Sequence, residues 1–437
     1  MTRLIVLNRY FFPDHSATSQ ILSDLMFHLS AKGVDVQVIT SRQLYDDPER
    51  ELPPAEIAGG VSIHRVSTTK FGRSGLAGRA IDYLSFYLSA RRLLRRLLKP
   101  GDLVIAMTDP PLISVVAVRP ARRKGAHLIN WLQDVYPEVA IELGVPFLRG
   151  PLAAAISYLR DRSLGFAAVN VVVGQTMADK LTSRGIAASR VATIPNWTDD
   201  DKIVPVASAD NPLRQQWGLD DKFVVGYSGN LGRAHEFDTM LGASEILRDD
   251  PRFVFLFIGG GHRLKELVTI VKARGLDPHF RFMPYQDQTH LKDSLGVADV
   301  HWLSLKPELE GLIVPSKFYG IAAAGRPVIA VTARDGEIAR LVEENRCGFV
   351  VAPGRSAELA ALLKRLSVDA TSIEAAGKNA RAMLDAHFSR RHAFERWVDL
   401  LARIDPTSQN KFATAALRPS LEPPLSERPV TRARLSA

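Results

Sequence analysis

The sequence has 437 residues, 46% of them hydrophobic and 24% charged, a globular composition with room for two domains of about 100–200 residues each. The one cysteine, Cys347, excludes a disulfide framework and a cysteine-based zinc site, and we expect it to be buried. The net charge of +9 points to an acidic partner. Because no segment resembles a known nucleic-acid-binding module, we do not expect that partner to be nucleic acid.

The N-terminus predicts neither a signal peptide nor a membrane anchor. Arg3 is followed by the short apolar run Leu4–Leu7 without a small-residue cleavage site, and no run approaches the ~20 apolar residues that cross a bilayer. We therefore expect a cytoplasmic protein in a reducing compartment, with peripheral contact to the inner face of the cytoplasmic membrane.

The first half alternates apolar strands with helical patterns. A helix over Ser19–Lys32 carries apolar residues at i, i+3, i+4 and i+7 and stops at Gly33, and a second helix covers Ile81–Leu98. Strands are predicted at Leu4–Leu7, Val34–Thr40, Val61–Val66, Leu103–Met107, His127–Leu132, Val169–Val173 and Val191–Ile194. This alternation predicts an α/β, Rossmann-like domain over residues 1–200 with a parallel sheet.

The pattern restarts after the polar stretch Thr198–Asn211, the expected hinge region. Strands are predicted at Phe223–Tyr227, Phe253–Ile258, Phe280–Phe282, Val300–Leu303, Pro327–Val331 and Gly348–Val351. We expect a second Rossmann-like domain at 212–388, facing the first across a cleft. A C-terminal helix at 389–404 would return toward the first domain, before a disordered tail at 405–437 that is rich in Pro, Ser, Thr and Arg.

A glycine-rich loop follows the first strand of the second domain. The residues Gly229, Asn230 and Gly232 let the backbone approach an anion, and Arg233 adds a positive charge. The ordinary alternative is a tight strand-to-helix turn.

A second motif places a cation at a helix start. Pro315 and Ser316 suit the beginning of a helix that Gly325 ends. Lys317 in its first turn has the wrong sign for the positive end of a helix dipole, which is explained if an anionic ligand binds there. The alternative is a solvated lysine.

Ordered motifs resemble the family 4 glycosyltransferases of GT-B fold. The C-terminal motifs are Gly229–Arg233, Phe257–Gly261, Phe282–Tyr285, Pro315–Lys317 and Ala324–Pro327. In the N-terminal half, the segments Asn8–Gln20, Gln133–Glu138 and Ile194–Trp197 resemble the colanic-acid and O-antigen branch, the WcaI and WbuB type. The resemblance covers about residues 2–404.

The resemblance implies a retaining hexosyl- or N-acetylhexosaminyl-type transfer from a nucleotide-diphosphate sugar, with no metal or other cofactor. Arg233 and Lys317 would neutralise the leaving diphosphate, and Tyr285 would lie beside the nucleotide base. The implied donor-binding residues are Gly229, Asn230, Gly232, Arg233, His235, Gly259, Gly260, Tyr285, Ser316, Lys317 and Glu337.

The sequence departs from the family pattern at the ribose site. Gly320 stands where many members carry a ribose-binding glutamate. Glu310 lies near the position of the first glutamate of the family pattern but does not align with it. Glu337, in the next loop, is a second candidate for the carboxylate that binds the ribose. His235 falls near the position of a common loop lysine.

The N-terminal half supplies the remaining candidates. Asp134 follows a strand end and is expected to act as a catalytic residue on the sugar side, helped by Glu138; the alternative is a helix N-cap aspartate. Loop residues after the first strand are expected to face the acceptor, and the alternative for the histidine among them is an ordinary loop residue. These loop residues are Asp14, His15, Ser16 and Thr18, and Glu138 is also expected on the acceptor side.

Basic residues concentrate in the first half. Lys70–Lys99 interleaves arginines with aromatic and aliphatic residues, and Arg119–Lys124 adds four more cations. This pattern is typical of a helix on an anionic membrane, although a solvated basic face would have the same composition.

The sequence predicts a glycosyltransferase that builds a cell-surface polysaccharide, such as an exopolysaccharide, on a lipid-linked saccharide. Two alternatives stay open. A UDP-sugar 2-epimerase shares the architecture, although its characteristic motifs are not evident, and a non-catalytic nucleotide-sugar-binding scaffold is favoured by Gly320.

Overall fold

The structure, a computed structural model, describes residues 3–72, 75–145 and 148–405, with only the backbone for Gln288. The predicted disordered tail lies outside the described residues after Asp405. The chain divides into two compact units. Among the described residues, the first unit holds 3–131, 166–168 and 397–405, and the second holds 132–165 and 169–396.

The first unit is built on parallel strands ordered β3-β4-β2-β1-β5-β6, with only β3 antiparallel. The strands are β1 (Arg3–Leu7), β2 (Asp35–Ser41), β3 (Ala55–Ala58), β4 (Val61–Val66), β5 (Leu103–Ala106) and β6 (His127–Leu132). Their helices are α1 (Ala17–Ala31), α2 (Leu76–Leu97) and α3 (Ile113–Lys124). Residues such as Ile5, Phe86 and Leu94 form a continuous apolar core between the sheet and α2.

The second unit contains the parallel pair β7 (Val169–Val172) and β8 (Val191–Thr193) and a fully parallel six-stranded sheet. That sheet has the order β11-β10-β9-β12-β13-β14. Its strands are β9 (Phe223–Asn230), β10 (Phe253–Gly260), β11 (Phe280–Met283), β12 (Val300–Ser304), β13 (Val328–Val331) and β14 (Gly348–Val351). The order steps outward from β9 in both directions, which places a topological switch between β9 and β12, where open α/β sheets bind ligands.

Helices connect these strands, as the restarted pattern predicts. They are α4 (Glu138–Glu142), α5 (Gly150–Phe166), α6 (Gln175–Ser183), α7 (Pro212–Gln216), α8 (Asp238–Ile246), α9 (Leu264–Ala273), α10 (Leu291–Gly296), α11 (Lys317–Ala323), α12 (Glu337–Asn345), α13 (Ser356–Leu366) and α14 (Ala370–Met383). Cys347 is completely buried, as expected, and burial raises the pKa of its thiol to about 12. No helix in the described ranges combines the length and apolarity that crossing a bilayer requires.

The division into units differs from the predicted boundary near residue 200. Residues of the 132–186 region, such as Val135 and Met177, share one buried apolar cluster with Leu312 and Phe318, so most of this stretch groups with the second unit. The last helix, α15 (Arg390–Ile404), begins in the second unit and ends in the first. Its Trp397 ring lies 4.6 Å from the ring of Trp131 within the first unit, as expected of a helix that returns to that unit.

Candidate functional site

Glycines at the ends of β9 and β10 form an open floor in the second unit. Gly229 has a φ of +117°, and a Cβ there would lie 2.7 Å from the Lys317 Cε atom. Gly259 has a φ of +131°, and its Cβ would lie 2.5 Å from the Gly229 carbonyl oxygen. A residue with a side chain would be strained at these φ values, and its Cβ would clash with Lys317 or with the backbone of the neighbouring strand. A Cβ on Gly260 would meet the Tyr285 ring at 3.1 Å, so that ring, 61% exposed, covers the floor.

Lys317, the first residue of α11, reaches this floor from the neighbouring strand connection. Its Nζ donates a hydrogen bond to the Asn230 carbonyl oxygen at 3.1 Å and lies 3.5 Å from His235 Nε2. It also lies 5.2 Å from the centre of the Tyr227 ring, a cation–π contact. Burial lowers the pKa of Lys317 to about 8. Ser316, at the helix start, makes no side-chain cap hydrogen bond.

His235 is a neutral partner of this lysine. Burial, and then the charge of Lys317, lowers its pKa to about 3. Its Nδ1 lies 2.7 Å from the Ser304 carbonyl oxygen, which can only accept, so Nδ1 carries the proton. Nε2 therefore offers its lone pair to Lys317, and the imidazole orients the ammonium group without neutralising it.

Arg233 is exposed, next to the partly exposed Gly232, and donates a hydrogen bond to the Leu143 carbonyl oxygen at 2.7 Å. In the described part of the chain, neither Arg233 nor Lys317 lies within ion-pair distance of a carboxylate. Two cations beside an open glycine floor and without counter-charge make a site for an anion.

The two candidate ribose carboxylates differ in their contacts. Glu337, at the start of α12, is buried, and its oxygens accept from the Thr176 amide at 2.8 Å and the Arg340 guanidinium at 2.7 Å. Glu310 accepts from the Thr332 hydroxyl, and its Oε2 is buried with no hydrogen-bond partner. Burial raises the pKa of Glu310. A Cβ on Gly320 would make only ordinary van der Waals contacts, at 3.7 Å to Leu295 Cδ1 and 3.9 Å to Thr198 Oγ1, so α11 has room for a side chain there.

Asp134 lies in the same unit as these donor loops. It follows β6 and pairs with Ile313 in an isolated antiparallel bridge. The adjacent Val135 amide donates to the Leu312 carbonyl oxygen at 2.9 Å. These backbone contacts hold Asp134 against the segment that leads into Lys317.

Glu138 makes a structural ion-pair network instead of presenting free oxygens. It pairs bidentately with Arg160 at 2.8 and 2.9 Å and contacts Arg184. Burial alone would raise the pKa of Glu138, but the hydrogen bonds and charges of Arg160 and Arg184 outweigh it and lower the pKa. These contacts anchor α4 and thereby the segment that carries Asp134.

Replacing Glu138 with glutamine is expected to destabilise the protein by about 3 kcal/mol, since the buried Arg160 loses its bidentate carboxylate and keeps, among the described carboxylates, only the single contact of its Nε to the more exposed Asp161. Because the pKa of Glu138 is lowered on folding, this stabilisation is present above the usual carboxyl pKa and lost as pH falls through the lowered value. Denaturant unfolding at pH 7 measures the loss, with the exposed Glu142→Gln as control. Equal stability of both variants would contradict a structural role.

Four of the acceptor-side candidates lie in the first unit, after β1, whereas Glu138 lies in the second. Asp14 is buried, and its two oxygens accept from the amides of Ser16 at 2.8 Å and Tyr45 at 2.6 Å, so it shapes the loop. His15 is exposed and Thr18 partly exposed. The Ser16 hydroxyl is buried without a hydrogen-bond partner.

A neighbouring aromatic and carboxylate cluster was missed by the sequence reasoning. The Arg9 guanidinium lies 5.2 and 5.3 Å from the centres of the Tyr10 and Tyr83 rings, and the Tyr10 and Tyr45 rings pack edge to face. Burial raises the pKa of Asp109 to about 6. Asp109 follows β5 just as Asp14 follows β1, which is the signal that would have identified it.

Two family models match the chain. "Glycosyl transferase 4-like domain" covers residues 17–197, and "Glycosyl transferases group 1" covers residues 210–383. The models meet between residues 197 and 210, within the polar stretch that separates the two predicted domains.

Curated relatives match along most of the chain. The chain is 26% identical to a putative colanic acid biosynthesis glycosyl transferase, WcaI, from Escherichia coli (strain K12), over 78% of this chain and 86% of that protein. It is also 26% identical to the probable glycosyltransferase WbjE from Pseudomonas aeruginosa, over 91% of this chain and 97% of that protein.

Solved structures share the fold. HepE of Anabaena, in complex with UDP and glucose, has a TM-score of 0.69 at 18% identity, covering 92% of this chain and 100% of that one. Sucrose-phosphate synthase from Thermosynechococcus elongatus has a TM-score of 0.74 at 18% identity, covering 93% and 100%. The predicted GT-B fold class, with two parallel-sheet α/β domains, is confirmed. The chain therefore belongs to the group 1 glycosyltransferases of the family 4 type.

Proposed function

We propose that this glycosyltransferase moves a hexosyl or N-acetylhexosaminyl group, with retention, from a nucleotide-diphosphate sugar to a lipid-linked saccharide in the biosynthesis of a cell-surface polysaccharide. The observation that carries the donor assignment is the pair of cations, Lys317 and Arg233, which flank the glycine floor without a carboxylate partner in the described residues. The UDP complexes of HepE and the name of the WcaI relative support the donor and pathway classes.

In this proposal, Lys317 and Arg233 stabilise the negative charge that grows on the diphosphate as the glycosidic bond breaks. Tyr285 covers the nucleotide base above Gly259 and Gly260. The unpartnered Oε2 of Glu310 accepts from a hydroxyl of the donor. Glu337 is less suited to that role, because both of its oxygens are already occupied.

The acceptor belongs to the first unit in this proposal. Aromatic rings and carboxylates suit sugar rings and hydroxyls, and the cluster offers the exposed ring of Tyr45 and the half-buried carboxylate of Asp109, in the same unit as His15, Ser16 and Thr18. The protein would work in the cytoplasm as a peripheral enzyme on the inner face of the membrane, where a lipid-linked acceptor resides.

A two-step assay tests the function. Nucleoside diphosphates and their sugars are first ranked by the rise in Tm, since ligands that bind the native state stabilise it. The best donor is then incubated with and without a polyprenyl-diphosphate-linked saccharide, and the anomeric configuration of the product is read by NMR. Formation of a C2 epimer from donor alone would identify an isomerase, and binding without turnover would identify a scaffold.

Transfer is expected to persist in EDTA. Lys317 and Arg233 supply positive charge where the diphosphate leaves, and within the described ranges no three His, Cys, Asp or Glu side chains are grouped to hold a metal ion. The initial rate in excess EDTA should equal the rate without it. Complete loss that magnesium or manganese restores would contradict this leaving-group chemistry.

A further inference from the structure

A strongly basic cavity lies between α2 and α3 in the first unit, remote in sequence from the donor motifs. Its volume is ≈ 470 Å³, within the size range of small-molecule sites, about 300–1,000 Å³. It is lined by Arg91, Arg92, Arg95, Arg96, Arg119, Pro120, Arg123 and Lys124. All of the lining side chains except Pro120 are therefore cations.

The cavity has no internal counter-charge. None of its cations forms an ion pair with a carboxylate of the described residues, whereas Arg3 and Arg65 of the same unit are paired with Asp102 and Glu56. The Nε of Arg91 is buried without a hydrogen-bond partner. The site therefore carries both an unsatisfied donor and unbalanced positive charge.

Helix dipoles explain only part of this arrangement. Cations are favourable in the last turn of a helix, which accounts for Arg95 and Arg96 in α2 and for Arg123 and Lys124 in α3. The same helices also contain like-charged neighbours at i and i+4, which is destabilising on a helix surface. These neighbours are Arg91 with Arg95, Arg92 with Arg96, and Arg119 with Arg123. A bound anion would offset the repulsion.

The preponderance of arginine indicates which anion. Its planar guanidinium matches phosphate oxygens bidentately, whereas lysine acts as a point charge. Six arginines around one cavity can surround the oxygens of a phosphate ester that carries two negative charges.

The rest of α2 indicates that the phosphate belongs to a lipid. Ile81, Leu84 and Leu88 are 49%, 57% and 50% exposed, and their i, i+3, i+7 spacing places them on one helix face. Continuing at the same spacing, this row reaches Arg91, Arg92 and Arg95. An apolar row that leads into a phosphate cavity fits a membrane surface, where apolar side chains insert beside the headgroups. A soluble phosphate would not need the apolar row.

We propose that the cavity between α2 and α3 is a binding site for the phosphate headgroup of an anionic membrane lipid, with preference for a doubly charged phosphomonoester. The inference rests on the proposed peripheral membrane location. It adds to that proposal a defined binding site for one lipid headgroup, in place of a general attraction between opposite charges. The basic segment Lys70–Lys99 begins outside this cavity. Its Lys70 is already paired with Glu51, and its Arg73 lies outside the described residues, so neither is part of the proposed site.

The test compares two double variants of the full chain that lose equal charge. Arg92→Gln with Arg123→Gln removes cavity cations, and Lys99→Gln with Arg122→Gln removes exposed cations outside the lining. Vesicles contain phosphatidylcholine alone or with phosphatidylglycerol or phosphatidic acid at matched surface charge. We expect tighter binding to phosphatidic acid, and an affinity loss at least about 10-fold greater for the cavity double than for its control.

The outcomes separate the inference from the proposed location. Failure of the wild-type chain to bind any anionic vesicle at low salt would overturn both, since electrostatic attraction is least screened there. Vesicle binding with equal losses in the two doubles would overturn the cavity and leave the membrane location standing. Retained vesicle binding by Leu84→Ser with Leu88→Ser, together with tight binding of inorganic pyrophosphate in the absence of vesicles, would assign the cavity to a soluble phosphate instead. A Tm rise with a nucleoside diphosphate verifies that each variant is folded.

Discussion

Replacing Lys317 with alanine is expected to lower kcat/KM by about 10²-fold or more, because a cation preorganised at a leaving diphosphate contributes several kcal/mol to transition-state stabilisation. The ammonium group is held by the Asn230 carbonyl, the His235 imidazole and the Tyr227 ring, all of them neutral. Its charge is therefore available to the ligand. Arg233→Ala is expected to act in the same direction, since that guanidinium donates to the Leu143 carbonyl oxygen and pairs with no carboxylate of the described residues.

Exposed Lys265 on α9 provides the matched control. Lys265→Ala removes the same charge from the same unit and should keep kcat/KM within about twofold. Because Lys317 is desolvated in the folded state, its removal is not expected to lower Tm. Near-normal activity of folded Lys317→Ala and Arg233→Ala proteins would refute the donor assignment.

The pH dependence of donor binding independently tests whether the charge of Lys317 binds the diphosphate. A diphosphate favours the charged ammonium, and burial lowers the pKa of Lys317 to about 8. Donor affinity is therefore expected to be constant below that pH and to weaken as pH rises through it. Lys317→Arg keeps a charge across this range and should abolish the change in Kd measured by calorimetry.

Strand order and spacing made most of the fold predictable. All the predicted strands occur, and α1 ends as predicted, with Gly33 at a φ of +85°. The hairpin strand β3 was missed although Gly59 and Gly60, with φ values of +53° and +77°, form the connecting turn. A two-glycine turn between short strands is a hairpin signal. However, β3 has only four residues, which alternate between exposed and half-buried, so it lacks the apolar run by which the other strands were predicted.

The part of the site that consists of glycines and residues at strand ends was predictable from the sequence. Gly229, Gly259 and Lys317 each follow a predicted strand. They lie at one edge of the sheet because those strands are parallel neighbours. Long-range partners could not be found in this way. Glu138 was assigned to the acceptor side because nothing in local spacing reveals Arg160, which lies on a separate helix and occupies its carboxylate.

Asp134→Asn is expected to lower kcat by about 10²-fold while leaving donor Kd nearly unchanged. In glycosyl transfer the sugar ring gains positive charge in the transition state, and a fixed carboxylate beside it stabilises that charge more than it stabilises the ground state. Asparagine has nearly the same shape and keeps the backbone bridge to Ile313, so the substitution removes the negative charge while the backbone of this segment stays in place. The exposed Glu142→Gln removes an equal charge from the adjoining helix and should be silent.

Separate measurements of kcat and donor Kd decide between the roles of Asp134. Loss of kcat alone means that the carboxylate acts in the transition state. Equal loss of donor affinity would mean that it only positions the bound sugar, and unchanged kinetics would leave it a structural role beside the bridge to Ile313. The alternative of a helix N-cap aspartate is wrong, because Pro137 is the N-cap of α4. The position of Asp134 favours the first outcome, because the amide of Val135 ties the segment to the Leu312 carbonyl, just before the strand connection that ends at Lys317. A carboxylate and an ammonium group fixed to the same connection can stabilise opposite charges that develop on the two sides of one breaking bond.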